Sequence, residues 1–210
     1  MARTMSLCKY KFFLPIFFLL ACVGCSPLLS WTDRVPMHRE VSSLPPGSGC
    51  RIAVLPFLND SEFPQGGILA QKVFAAQLLV FGEHVLTPEG DIVKAYQQLH
   101  LLPGATPTLE QLQIVADRIN APLLLTGIVL EMREGRSEHH TVNPQLIMEV
   151  ELRDPVSGEI LWTTFHRRKG TDYKKTMHFG TLHTVTGLCR QMAEEIINLW
   201  HEKGFSQCNE

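Results

Sequence analysis

The chain has 210 residues, 45% hydrophobic and 19% charged, with 19 Lys and Arg against 21 Asp and Glu for a formal charge of −2. That length holds one domain beyond a leader and a linker, and the mild acidity excludes general nucleic-acid binding, which needs a basic surface. Beyond the N-terminal region no apolar run approaches the roughly 20 residues that a membrane-crossing helix needs.

Residues 12–29 read FFLPIFFLLACVGCSPLL and follow Arg3, Lys9 and Lys11 with no acid among them. The apolar run from Phe12 to Gly24 is broken by Pro15 and is too short to span a bilayer. A basic start, a short apolar stretch and small residues at its end are the pattern of a secretory signal peptide, here residues 1–21. Leu19-Leu20-Ala21-Cys22 resembles the bacterial lipobox, which implies cleavage before Cys22 and lipidation of its thiol. Val23-Gly24-Cys25 offers Cys25 as the alternative, although Cys22 would then stand where that motif usually carries Leu; ordinary signal cleavage is the third reading. Several acyl chains hold a protein stably on a membrane where one would not. Removal of the leader with its three basic residues takes the formal charge to −5.

Residues 22–49 are read as the lipidated N-terminus and a Pro-rich tether: the stretch 26–49, SPLLSWTDRVPMHREVSSLPPGSG, holds four prolines, two glycines and no sustained periodicity. Its flexible-chain span is about 25 to 30 Å. The domain proper is expected over residues 50–208. Cys50 precedes its first strand and Cys208 follows its last helix, so they are a candidate disulfide. Closing a loop of that length is worth roughly 5 kcal/mol at most; two free thiols are the alternative. Cys189 falls on an apolar helical stripe with Val185, Leu188, Met192, Ile196 and Leu199 and is expected in the core.

RIAVLPF, from Arg51, predicts a short buried strand, and NDSEFPQGG a loop. ILAQKVFAAQLLVFG predicts a helix with Leu69, Val73, Ala76 and Val80 on its core face and Gly82 ending it. Phe74, Leu78 and Phe81 lie off that stripe and are candidates for a subunit or partner contact, or for packing under a neighbouring helix. EHVLTP is a second short strand and EGDIVKAYQQLHLL a helix stopping at Pro103-Gly104. Thr108 and Gln111 form a capping box for a helix whose core face is Leu109, Leu112, Ala116 and Ile119.

PLLLTGIVLEMRE is a strongly apolar strand. In QLIMEVELRDPVSGEILWTTF, Leu146, Met148, Val150 and Leu152 alternate with Glu149, Glu151 and Arg153, the period-2 pattern of a half-exposed strand. Asp154 to Gly158 supply the turn of a hairpin that returns through Ile160 and Trp162. An amphipathic helix over about Thr184 to Trp200 closes the domain. The expected class is α/β: a mixed sheet with a long antiparallel hairpin, helices packed on it, in a single domain.

RIAVLPFLND, the HVLTP strand, ADRINAPLLLTGIVLE and MEVELRDPVSGEILW, in that order behind a lipobox, resemble the CsgG/PelC/LpoB-like bacterial periplasmic lipoproteins over roughly Arg51 to Trp200. The resemblance implies an outer-membrane lipoprotein, anchored through its N-terminal lipid, that binds other envelope proteins, in some members as a homo-oligomeric ring, with no cofactor and no chemistry of its own. Val23 in place of the aspartate that usually retains lipoproteins on the inner membrane agrees with the outer membrane. The only long insertion between strands, EMREGRSEHHTVNPQ, is charged along most of its length, unlike a CsgG-type membrane hairpin. The short tether is unlike the long arm of a cell-wall synthase regulator of the LpoB kind.

No Walker loop, H-E-x-x-H or G-x-S-x-G occurs, and the one C-x-x-C, Cys22 to Cys25, sits in the lipobox. Gly66-Gly67 before a helix suits a loop better than an anion site. Glu149 and Glu151 share a strand face and read as solvated rather than as an acid–base pair; adjacent His139 and His140 lack metal-ligand spacing. The dense basic run HRRKGTDYKK contributes Arg167, Arg168, Lys169, Lys174 and Lys175 as candidate contacts for a polyanion, anionic lipid or acidic partner. The function expected from all this is that of a non-catalytic accessory in envelope assembly or export. A synthase regulator is the alternative, as is a periplasmic ligand-binding protein or enzyme with a dispersed site.

Overall fold

The period-2 pattern of residues 146–152 does what it predicts: Leu146, Met148, Val150 and Leu152 are all buried on one side of a long strand, with Glu149, Glu151 and Arg153 on the other. The computed structural model describes residues 35–42, 51–82, 84–136, 142–175 and 179–204. Its strands are β1 (Met37–Glu40), β2 (Arg51–Val54), β3 (Leu58–Asn59), β4 (Val85–Leu86), β5 (Leu123–Arg136), β6 (Val142–Arg153) and β7 (Ile160–Lys169). Four helices are described: α1 (Gly66–Phe81), α2 (Glu89–Gln98), α3 (Leu109–Ile119) and α4 (Val185–Glu202). The strands form one open mixed sheet in the order β1-β7-β6-β5-β2-β4, with β3 alongside β5. β5, β6 and β7 run antiparallel, whereas β2 pairs parallel with both β4 and β5. The architecture is therefore α/β, as the pattern of strands and helices implies.

Two helical layers cover the sheet unequally. On one side α1 and α4 enclose the main core, in which Phe74, Leu78, Leu125, Met148, Trp162, Met192 and Ile196 are fully buried. On the other side α2 and α3 cover only β2 and the start of β5, burying Ala53, Leu55, Ile92, Val115 and Leu124. The remainder of that second face, over β6, β7 and β1, carries no helix among the described residues.

Local chemistry explains several element ends. Thr108 accepts from the Gln111 N–H at 3.2 Å while the Gln111 side chain accepts from the Thr108 N–H at 2.8 Å, the reciprocal cap read from the sequence. Asn120 ends α3 with φ of 50°, a left-handed position that asparagine tolerates. The Asp154 side chain accepts from the Val156 N–H and the Ser157 hydroxyl, tightening the β6–β7 turn. At Gly67 a Cβ would fall 2.3 Å from the Phe57 carbonyl oxygen, so glycine is what lets the start of α1 approach the chain after β2. That contact accounts for Gly66-Gly67 as packing.

Three expectations change. The core face of α1 is Ala70, Gln71, Phe74, Gln77 and Leu78, while Ala76 is exposed and Val80 is 77% exposed. Phe74 and Leu78, read as off the stripe, are at the centre of the core; Phe81 is half-buried. The helix is apolar nearly all round, so periodicity alone does not orient it. The Gln71 side chain also enters the buried face, where its amide donates to the Val54 carbonyl at 3.0 Å.

The second change concerns the stretch read as tether, which contributes β1: Met37 to Glu40 pair antiparallel with Phe165 to Trp162. This pairing uses backbone groups on an edge strand whose four side chains are all exposed, so it left no apolar alternation to detect. His38 stacks on the Trp162 ring, centroids 4.9 Å apart. Third, much of the charged insertion is strand, since β5 and β6 continue pairing out to Arg136 and Val142. Residues 137–141, with His139 and His140, lie outside the described part.

Candidate protein-contact face

The uncovered half of the sheet follows from strand alternation. Inward burial of Met148, Val150 and Leu152 forces Ile147, Glu149, Glu151 and Arg153 to the opposite side, and the β6–β7 register sets Phe165 opposite Glu149 and Thr163 opposite Glu151. Met37 on β1 lies opposite Phe165 and extends this apolar strip to the edge. Met37 and Phe165 are both exposed.

The charges on this face are partly matched. Arg153 closes on Glu151 through two hydrogen bonds of 2.6 and 2.9 Å. Arg133 pairs with Glu131 at 2.7 Å, and Gln145 bridges the two. Glu149 accepts from the Thr163 hydroxyl at 3.2 Å and forms no ion pair among the described residues. The arrangement is a polar strip along an apolar one, with Glu151 and Glu131 held by charge-assisted bonds from Arg153 and Arg133.

Where the sheet meets the covered region, a cavity of about 280 Å³ opens among Tyr96, Pro107, Leu109, Ile128, Glu149 and Arg153. Leu109 was expected in the core, but it is exposed and leans over the hairpin turn, so close that a Cβ on Gly158 would fall 2.3 Å from its methyl carbon. Burial raises the Tyr96 hydroxyl above its ordinary pKa, so it stays protonated there. No group of three His, Cys, Asp or Glu among the described residues could hold a metal ion.

The basic run does not form one patch. Alternation along β7 sends His166 and Arg168 into the main core and Arg167 and Lys169 to the opposite, exposed side; Lys174 and Lys175 follow on an exposed loop. His166 Nε2 donates to Glu195 Oε2 at 2.6 Å, and Arg168 Nε donates to the same oxygen at 3.3 Å. Burial, supported by the Arg168 charge, holds His166 below the usual histidine pKa against the pull of Glu195, so the ring is neutral. Sequence reasoning missed this group because Glu195 lies 29 residues from His166, on α4. Cys189 is buried as expected, and burial pushes its thiol up to about 12, which makes it inert. Cys22, Cys25, Cys50 and Cys208 lie outside the described residues.

No protein-family model and no curated protein sequence matches the chain. Solved structures do. The PelC dodecamer from Paraburkholderia phytofirmans superposes with a TM-score of 0.50 at 20% identity, over 76% of this chain and 96% of that one. Lipoprotein GNA1162 from Neisseria meningitidis gives 0.52 at 15% identity, over 73% of this chain and 99% of that one. The chain has the PelC-like lipoprotein fold. At such low identity what is shared is the architecture of the PelC-like fold.

Proposed function

We propose that this protein is a lipoprotein anchored through Cys22 on the periplasmic face of the outer membrane, acting as a non-catalytic accessory in envelope assembly or export. It works by protein–protein contacts made on the open sheet face. The observation that carries this reading is the uncovered sheet face on which exposed Met37 and Phe165 and half-buried Ile147 lie beside Glu149, Glu151 and Arg153: exposed apolar side chains next to charged ones suit a protein partner. PelC of the same fold is a dodecamer, which supports a second copy as one such partner.

The molar mass of the full-length, lipidated protein in mild detergent, by light scattering after size separation, tests the self-assembling form. A discrete mass of many subunits that collapses in Phe165→Glu supports it. A monomeric wild-type protein counts against a ring. Cys22→Ser and Cys25→Ser variants identify the anchoring residue by which of them loses the lipid.

A further inference from the structure

The cavity of about 280 Å³ at the border of the open face has a floor of strand residues fixed by register. Ile128 on β5 stands opposite Glu149 on β6, and Thr126 stands opposite Glu151, so the two pairs lie side by side on the face turned away from the main core. Leu55, Tyr96 and Leu112 also line the cavity and are all buried, while Leu109 is exposed.

These walls are in place before anything binds. The cap formed by Thr108 and Gln111 fixes the first turn of α3, which carries Leu109 and Leu112. Farther along α3 the Gln113 amide donates to the Val156 carbonyl at 2.9 Å, tying the helix to the β6–β7 turn. Gly158, in the same turn and in the cavity wall, donates from its N–H to the Asp154 carbonyl at 2.9 Å. A preformed site loses less conformational freedom on binding than one that must assemble.

The volume limits the occupant. It equals about nine water volumes and falls just under the roughly 300 Å³ at which pockets for drug-sized ligands begin, so it suits one large side chain. The lining sets the chemistry: it is mostly apolar, and its only charged members are Glu149, Glu151 and Arg153. Arg153 is taken by Glu151. Glu149 forms no ion pair among the described residues, and by register the neighbouring cations Arg39 and Arg167 stand opposite Thr163 and Ile147 instead. One carboxylate is left without a counter-charge beside an apolar hole. Glu149, Glu151 and Arg153 also line a more open trough that continues past Thr163 to Arg39, which offers a polar path across the sheet to a chain whose side chain fills the cavity.

Resting on the open face as the contact surface, the geometry points to a docking site in this cavity for a segment of another envelope protein. One large apolar side chain of the segment enters among Leu55, Leu109, Leu112 and Ile128, and a lysine or arginine next to it meets Glu149. An anchor side chain in a desolvated pocket is how a few residues carry most of an interface's binding energy.

The test is selection of a random heptapeptide library, displayed on phage, against the full-length lipidated protein in lipid nanodiscs. Two variants serve as counter-targets: Ile128→Trp, whose larger ring fills the cavity, and Leu109→Lys, which puts a cation at an exposed position of its wall. Peptides that bind the wild type alone should carry a large apolar residue beside Lys or Arg. In a synthetic peptide of that set, Ala in place of the apolar residue should weaken binding about tenfold or more, and Gln in place of the cation severalfold. Glu149→Gln should remove the second difference and leave the affinity of the uncharged peptide as it was. Peptides that bind both counter-targets as well as the wild type, or that show no preference for an apolar–basic pair, overturn the site. Photocrosslinking in the living envelope separates the site from the reading it rests on. Adducts to one partner protein from both Leu109 and Phe165 support it. Adducts from Phe165 without any from Leu109 overturn the site and leave the open face standing, and Leu109 adducts to lipid or to a second copy of the chain overturn it in favour of that occupant. If neither position gives an adduct, the contact-face reading fails, and the selected peptides then decide the cavity by the same criteria.

Discussion

Truncating Phe74 to Ala removes a ring that is 0% exposed and sits 5.4 Å, centroid to centroid, from Phe57 in the core between α1 and the sheet. Losing a buried Phe costs about 3–5 kcal/mol, the transfer free energy of the ring plus the cavity it leaves. Val80, one residue before the end of the same helix and on the face that periodicity favours, is 77% exposed, and Val80→Ser should change stability by no more than about 0.5 kcal/mol. Urea unfolding of the Cys22→Ser chain measures both. With a slope of about 2 kcal/mol per molar, Phe74→Ala should lower the midpoint by roughly 1.5–2.5 M, and Val80→Ser should leave it in place. The orientation of α1 would be refuted if Val80→Ser were the more damaging, or if Phe74→Ala cost less than about 1 kcal/mol.

At Gly127 a Cβ would meet the buried Phe57 ring at 2.5 Å and the Glu149 carbonyl oxygen at 2.9 Å, so Gly127→Ala should destabilise by about 1–3 kcal/mol in the same assay. Thr108→Ala removes the capping box of α3 and should cost about 1 kcal/mol, with a matching drop in melting temperature. His166 is neutral in the folded state because its pKa is depressed, so the unfolded chain binds the extra proton as pH falls. Its contribution to stability is thus complete above the unfolded histidine pKa of about 6.5 and is lost as pH drops below that value. His166→Gln should flatten that part of a stability–pH profile; an unchanged slope would refute the assignment. Glu195→Ala should cost about 3 kcal/mol or more by removing the carboxylate that both His166 and Arg168 bond.

Much of the architecture is legible in the sequence where one periodicity is unopposed. The alternation from Leu146 to Arg153 with the Asp154 turn gives the hairpin, and the stripe from Val185 to Leu199 gives α4, because each has one apolar face and one polar face. Reading fails where no such contrast exists. α1 is apolar on most sides, and its buried face includes Gln71, whose amide satisfies a strand carbonyl. β1 is held by backbone pairing at an edge, so its exposed side chains MHRE carry no signal. The basic run is visible as composition, but only the register of β7 shows that Arg168 belongs to a buried pair while Arg167 and Lys169 face outward. The open face is similarly hidden. Its residues are those that alternation assigns away from the core, and their lack of a helical cover is a property of the topology.

Site-specific photocrosslinking in the living envelope tests the proposed contact surface most directly. A photoreactive residue at Phe165 on the open face should give discrete adducts with a second copy of the chain or with another envelope protein, whereas one at Val80, exposed on α1, should give none. Adducts from Val80 alone, or no adduct from Phe165 in cells that make the protein at its native level, would contradict the account.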